Sequence, residues 1–351
     1  MSRRFVVLGL LASLVIGACT RSAGVSDANA KPADIYAAGP SVSDVRSLLG
    51  DSTWWPGVPQ FGVRPLGLPS TPETVRFSIT QHYVHVGTSE TFVASYVVYS
   101  SVSNATSFMS SLQTQLGTTP TGPRAGDQVI YYGVRQATKT ALYETVAFTR
   151  VGQVVITADL TRGTGFADIA EMGRIANKLV SRLKDEFAGK VKPSPTPATD
   201  ANLLPAPGQD VTLVGTVRLP VEAAADMLGS SSPTDLANGF HQAGVTDFLF
   251  ADYALDADLT MEVRASVFTF SSSSDASAWI DAVVGASNLD SSGVASGYST
   301  ATGQYYALFA AGSHVGVLFC ASTVQFEAAA RACEAPMANV ISSWQTSLSA
   351  A

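Results

Sequence analysis

Two stretches of this chain are copies of one another, and that repeat constrains it to a fold built twice. Ala94-Ser95-Tyr96-Val97-Val98-Tyr99-Ser100-Ser101-Val102-Ser103-Asn104-Ala105 aligns with Ala265-Ser266-Val267-Phe268-Thr269-Phe270-Ser271-Ser272-Ser273-Ser274-Asp275-Ala276 at a constant offset of 171. The apolar positions continue in step, with Phe108 matching Trp279, Met109 matching Ile280 and Leu112 matching Val283. Upstream, Val42 to Gly50 matches Val221 to Gly229; downstream, Gln153 to Ile156 matches His314 to Val317 at an offset of 161. Between the copies, Pro193, Pro195, Pro197, Pro205 and Pro207 interrupt any helix and favour extended backbone. At 351 residues and 46% hydrophobic content the chain is long enough for two domains and too apolar to stay disordered.

Periodicity predicts a shared element plan. Each half opens with a short helix, Ser43 to Leu49 and Val221 to Leu228. Strands follow at Thr74 to Thr80 and Thr91 to Tyr99, and at Thr246 to Tyr253 and Thr260 to Phe270. Helices come next, Asn104 to Leu116 and Asp275 to Val284, with Asn104 and Asp275 suited to the N-cap. Further strands are expected at Gln128 to Arg135, Leu142 to Thr149, Gln153 to Leu160, Gly303 to Ala310 and Val315 to Cys320. A closing helix carries Ile169, Ala176, Leu179, Val180, Leu183 and Phe187 on one face. Its counterpart carries Phe326, Ala330, Cys333, Met337, Val340, Ile341, Trp344 and Leu348, with a kink or split expected at Pro336. Strands grouped between helices give an α+β class: two tandem similar domains, each an antiparallel sheet with helices packed on one face. The domains are expected over residues 40–188 and 209–351, joined by a proline-rich linker over 189–208.

A net charge of −7 with only 14% charged residues argues against nucleic acid, which needs basic stripes to neutralise phosphate. The four histidines, His82, His85, His241 and His314, have no metal-ligand spacing. His82 and His85 would face opposite sides of a strand. Asp252, Asp256, Asp258 and Glu262 resemble a calcium loop only loosely, lack its turn glycine and read as a solvated acidic face. No nucleophile elbow, phosphate loop or dinucleotide fingerprint occurs, so no cofactor and no metal are expected. The unusual segment is Asp51 to Pro69. Its four prolines and three glycines oppose regular structure, yet it carries Trp54, Trp55 and Phe61. It reads either as a loop folded over its own core or as the wall of an apolar ligand or partner site.

The first residues read as an address. Arg3 and Arg4 precede an apolar run from Phe5 to Ile16, too short to span a bilayer. It ends in Ile16-Gly17-Ala18-Cys19, which resembles the lipobox of bacterial lipoproteins. The resemblance implies a signal peptide over residues 1–18, a diacylglyceryl group on Cys19 and a flexible tether over 19–39. It places the chain on the extracytoplasmic face of a cell membrane. With Cys19 spent on the anchor, Cys320 and Cys333 remain, either as a disulfide of the kind that persists outside the cytoplasm or as two buried thiols. Gly239-Phe240-His241-Gln242-Ala243-Gly244-Val245-Thr246 resembles segments of uncharacterised two-domain lipoproteins of actinobacterial envelopes. Together these readings favour a binding or scaffold module for an apolar small ligand, a lipid or an envelope protein. The alternative is a hydrolase whose triad is scattered through the sequence. Radiolabelled palmitate is expected to enter the wild-type chain and not Cys19→Ala; equal labelling of both would remove the anchor.

Overall fold

The computed structural model describes residues 29–62, 74–136, 141–191, 198–206, 211–228, 232–255, 258–299, 304–322 and 334–351. The first half runs α1 (Pro32–Ala38), α2 (Val42–Leu49), β1 (Trp54–Pro56), β2 (Gln60–Gly62), β3 (Val75–His85), β4 (Thr91–Tyr99), α3 (Val102–Leu116), β5 (Gln128–Gln136), β6 (Leu142–Val151), β7 (Val154–Arg162) and α4 (Ile169–Phe187). After α5 (Ala198–Ala201) the second half runs β8 (Val211–Pro220), α6 (Val221–Met227), α7 (Pro233–Gln242), β9 (Val245–Leu255), β10 (Asp258–Phe270), α8 (Ser273–Val284), β11 (Val294–Ser299), β12 (Gln304–Ala311), β13 (His314–Ser322) and α9 (Glu334–Ser349).

The sheets are antiparallel, with strand orders β1-β3-β4-β7-β6-β5 (β2 also on β3) and β11-β12-β13-β10-β9-β8. Read from opposite ends, the two orders coincide, so the structure holds two similar α+β domains. The helix caps carry the same repeat. Ser101 accepts the backbone N–H of Asn104 at 3.1 Å and Ser272 that of Asp275 at 3.2 Å, at the offset of 171. The caps are therefore these serines, whose extended backbone aims the hydroxyl at the third helical N–H; Asn104 and Asp275 supply that N–H. The downstream block needs a shift of one residue. Hairpin turns close at Val151↔Val154 and Ala311↔His314, with Gly152 and Gly312 at φ of 58° and 59°. The structural offset is thus 160, and the difference matters because a slip of one residue exchanges the faces of a strand.

Helices cover both faces of each sheet, not one. In the first domain α1 and α4 pack on Phe77, Ile79, Tyr96, Ile156 and Leu160, while α3 packs on Val97, Tyr99, Val146 and Val155. In the second, α9 lies against Leu249, Val263 and Leu318, and α6, α7 and α8 against Phe248, Phe250 and Val317. The reason is visible in β4, where Tyr96 to Tyr99 are buried in succession, leaving both faces apolar.

Part of the expected tether is structured. Pro32 opens α1, and Ile35 and Ala38 are buried. Arg182 caps the helix end, donating to the carbonyls of Ala37, Ala38 and Gly39 at 2.9, 3.2 and 2.6 Å. The expected linker is also anchored at its second end. Leu204 is buried, Trp344 Nε1–H donates to Leu203 O at 2.7 Å, and Tyr253 Oη–H to Pro205 O at 3.0 Å. The described part of α9 is Glu334–Ser349, so Pro336, where a kink is expected, lies next to residues outside the description. Residues 1–28, and with them the signal peptide and Cys19, lie outside the described residues, as does Cys333.

α1 also ties the domains together. Tyr36 Oη–H donates to Thr216 O at 3.3 Å, and its ring lies over Gly215 at a bulge in β8. A Cβ on Gly215 would sit 2.3 Å from that ring. Gly215→Ala is expected to lower unfolding stability by about 1–3 kcal/mol. Tyr36→Ala in the same chain should remove that overpacking. Urea titration of the two single variants and the double variant checks this through a non-additive recovery.

Candidate functional site

The Trp54–Phe61 segment sets the geometry between the domains. Despite its prolines it forms β1 and β2, three-residue strands added in succession to the outer edge of β3. Pro56 is tolerated there because it sits at a sheet edge. Trp54 is 2% exposed and stacks on His85 with centroids 5.0 Å apart. Phe61 is 3% exposed and packs near Phe77. Trp55 is half-buried under the Arg46 guanidinium at 5.0 Å and, with Val58, leans on the core of the second domain. Val58 N–H points to Met227 Sδ at 3.0 Å, Gly87 N–H donates to Asp226 at 3.1 Å and Phe61 N–H to Glu262 Oε1 at 3.2 Å. The three aromatic residues singled out as a ligand wall therefore lie in a seam between domains, and no open face presents them.

Beside the seam is a cleft of about 680 Å³. Its first-domain wall includes Tyr36, Pro40, Pro56, Gln81 and Tyr83; its second-domain wall is Leu213 to Arg218 of β8. Most side-chain polar groups are already held. Tyr83 Oη–H donates to Pro40 O, Gln81 Nε2–H to Tyr36 O at 3.0 Å, and Arg218 pairs with Asp200 at 2.7 Å and with Asp247. Such a cleft is preorganised, and it falls within the size of ligand sites.

Asp252 and Glu262 do not lie on a solvated face. Asp252 is fully buried, and neither of its carboxyl oxygens receives a hydrogen bond among the described residues. Register places it opposite Arg264, which pairs with Glu262 at 2.7 Å. Burial first, then the neighbouring Glu262, hold the Asp252 carboxyl well above the usual carboxylate range, while Arg264 pulls the other way. Tyr36 is pushed up to about 12, by burial and then by Asp252. His82, close to Arg264, is held below its ordinary value by burial and by that cation. Asp258 begins β10, and Asp256 lies outside the described residues, so no calcium loop is assembled from the described acids.

A second carboxyl pair escapes sequence reasoning. Glu144 on β6 and Asp159 on β7 are diagonal neighbours, since Val146 pairs with Asp159 and Glu144 with Thr161. Burial, then Glu144, push Asp159 up to about 7. No local spacing encodes the pair; only the strand register does. Among the histidines, His85 is held at both ring nitrogens, Nδ1 to Glu90 at 2.9 Å and Nε2 to Asp51 at 3.2 Å. That leaves it no nitrogen to activate a hydroxyl nucleophile. Among the described residues no group of three acidic, histidine or cysteine side chains is placed to hold a metal ion. Cys320 is buried in the second core beside Tyr305, its cross-strand partner.

No family model matches the chain, and no characterised protein matches its sequence significantly. Among solved structures it is similar to the extracellular domain of PknH from Mycobacterium tuberculosis, at 15% identity over 45% of this chain and 98% of that one, with a TM-score of 0.36. At that score the likeness carries no weight for function.

The raised carboxyls make stability pH-dependent. A folded chain that binds the Asp252 and Asp159 protons more tightly than the unfolded chain is fully stabilised below the unfolded value. It loses that stabilisation as pH rises toward the folded one, which for Asp159 spans the range from about 4 to about 7. Asp252→Asn and Asp159→Asn, which keep the neutral shape, are each expected to gain about 1–3 kcal/mol at pH 8 and little at pH 4. Thermal unfolding at the two pH values checks the sign.

Proposed function

We propose that this chain is a lipid-anchored protein of the extracytoplasmic membrane face that binds a ligand or partner in the cleft between its domains and performs no chemistry on it. The observation that carries the reading is the cleft itself, walled by α1, α2 and β3 on one side and by β8 on the other. Its mixed lining replaces the apolar pocket expected near the tryptophans. Trp54, Trp55 and Phe61 act on binding indirectly, by fixing how the two walls face. The anchor is Cys19, and no described helix is long and apolar enough to cross a membrane. Cys320 and Cys333 form a disulfide in this reading. The support is that Cys320 is buried in the sheet face under α9, in one core with Met337, Ile341 and Trp344 of that helix. The hydrolase reading finds its best-placed histidine, His85, saturated by two carboxylates.

Native mass spectrometry of the full mature chain tests the cleft. Ala37→Trp places a large side chain in it from a half-buried helical position. The variant is expected to fold and to lose the molecule that the wild type carries or captures. Unchanged binding would overturn the assignment. Trp54→Ala with Trp55→Ala should instead cost several kcal/mol of stability, as truncations of buried aromatics do.

A further inference from the structure

We propose that the cleft takes an extended peptide segment, added as a strand to the free edge of β8; this rests on the cleft being the binding site. Among the described residues β8 ends its sheet, paired with β9 on one side only. Six consecutive residues of it, Leu213 to Arg218, line the cleft. Side chains alternate between faces along a strand, so a wall that touches six residues in a row is the edge of the strand. The edge spans roughly 17–20 Å at the rise of an antiparallel strand. Thr216 shows its direction. Its carbonyl accepts a hydrogen bond from outside the sheet, from Tyr36 at 3.3 Å. In an antiparallel ladder the N–H and C=O of one residue point to the same side, so the Thr216 N–H faces the cleft too. The alternation repeats at Arg218, whose guanidinium is held aside by Asp200 and Asp247.

The occupant follows from what the wall offers. Side-chain donors and acceptors around the cleft are mostly consumed internally, whereas a strand edge offers main-chain groups at fixed spacing; Tyr36 holds the Thr216 carbonyl, so an added segment is left the Thr216 N–H and the main-chain groups toward Arg218. A polypeptide backbone complements that row, which is the general logic of strand addition. The fold already uses the device. β1 and β2 each hold to the edge of β3 through three-residue pairings. Pro56 of β1 lines the opposite wall.

The test uses phage-displayed random octapeptides selected on the full mature chain, followed by synthesis of the enriched peptides. N-methylation of alternate residues is the discriminating readout. One alternate set should weaken binding about tenfold or more, and the other should leave it unchanged, because only one set faces β8. Ala37→Trp should abolish binding. Thr216→Pro, which removes one edge N–H at a position where proline is tolerated, should weaken it about tenfold while thermal unfolding shows an intact fold. Binding indifferent to the N-methyl pattern, or indifferent to both variants, overturns strand addition. If no peptide is enriched while a small molecule leaves with Ala37→Trp, strand addition falls and the cleft stands. If neither peptide nor small molecule responds to Ala37→Trp, both readings fall.

Discussion

The fold depends on one contact zone, where the Trp54–Phe61 segment adds to β3 and leans on the second sheet. The two hydrophobic cores interleave there. Val214 and Ala254 of the second domain pack into the core of the first, and Trp55, Val58 and Val86 of the first pack on the core of the second. This is more than a surface contact between tethered bodies. Apolar burial of this kind opposes separation, and the specific bonds from Phe61 to Glu262 and from Tyr36 to Thr216 set the angle at which the domains meet. The proline-rich stretch connects the halves, but the seam holds them.

The same closure explains the buried charges. Asp252 and Glu262, expected on a solvated acidic face, are withdrawn from water in the folded chain. Phe61 and His82 of the first domain pack beside this cluster, Phe61 through its N–H to Glu262 and His82 next to Arg264. A buried ionic group is costly unless its partners are fixed. Here Glu262 receives both the Arg264 guanidinium and the Phe61 N–H, so one carboxylate satisfies a cation in its own domain and an amide in the other. A cluster with that geometry stabilises one register of the interface over its alternatives.

Much of the architecture was legible in the sequence because it is local. The offset of 171 survives in the serine caps, and β4 runs Thr91–Tyr99 as periodicity predicts. What escaped was non-local. α1 has only seven residues, and its burial depends on β8, far along the chain. β8 follows the proline-rich stretch and alternates weakly. The apolar letters of the downstream repeat match at an offset of 161, whereas the turn glycines Gly152 and Gly312 fix the register one residue away. The tryptophans announced an unusual segment correctly, but composition alone does not separate an aromatic wall from an aromatic seam. That difference lies in Met227 and Glu262, more than 160 positions away.

The two copies differ most where they meet. In the first domain the position beside β3 is filled by segments that follow α2; in the second, the position beside β9 is filled by β8, which precedes α6. The difference in order has a geometric consequence. The short β1 leaves the first sheet ending in a proline, while β8 ends the second as a full strand with a bulge at Gly215. The bulge and the missing side chain admit Tyr36, and with it α1, at the edge of β8 beside which the cleft opens. Identical copies would have presented identical edges, either paired to each other or both covered. The cleft therefore comes from the divergence between the repeats rather than from the fold they share.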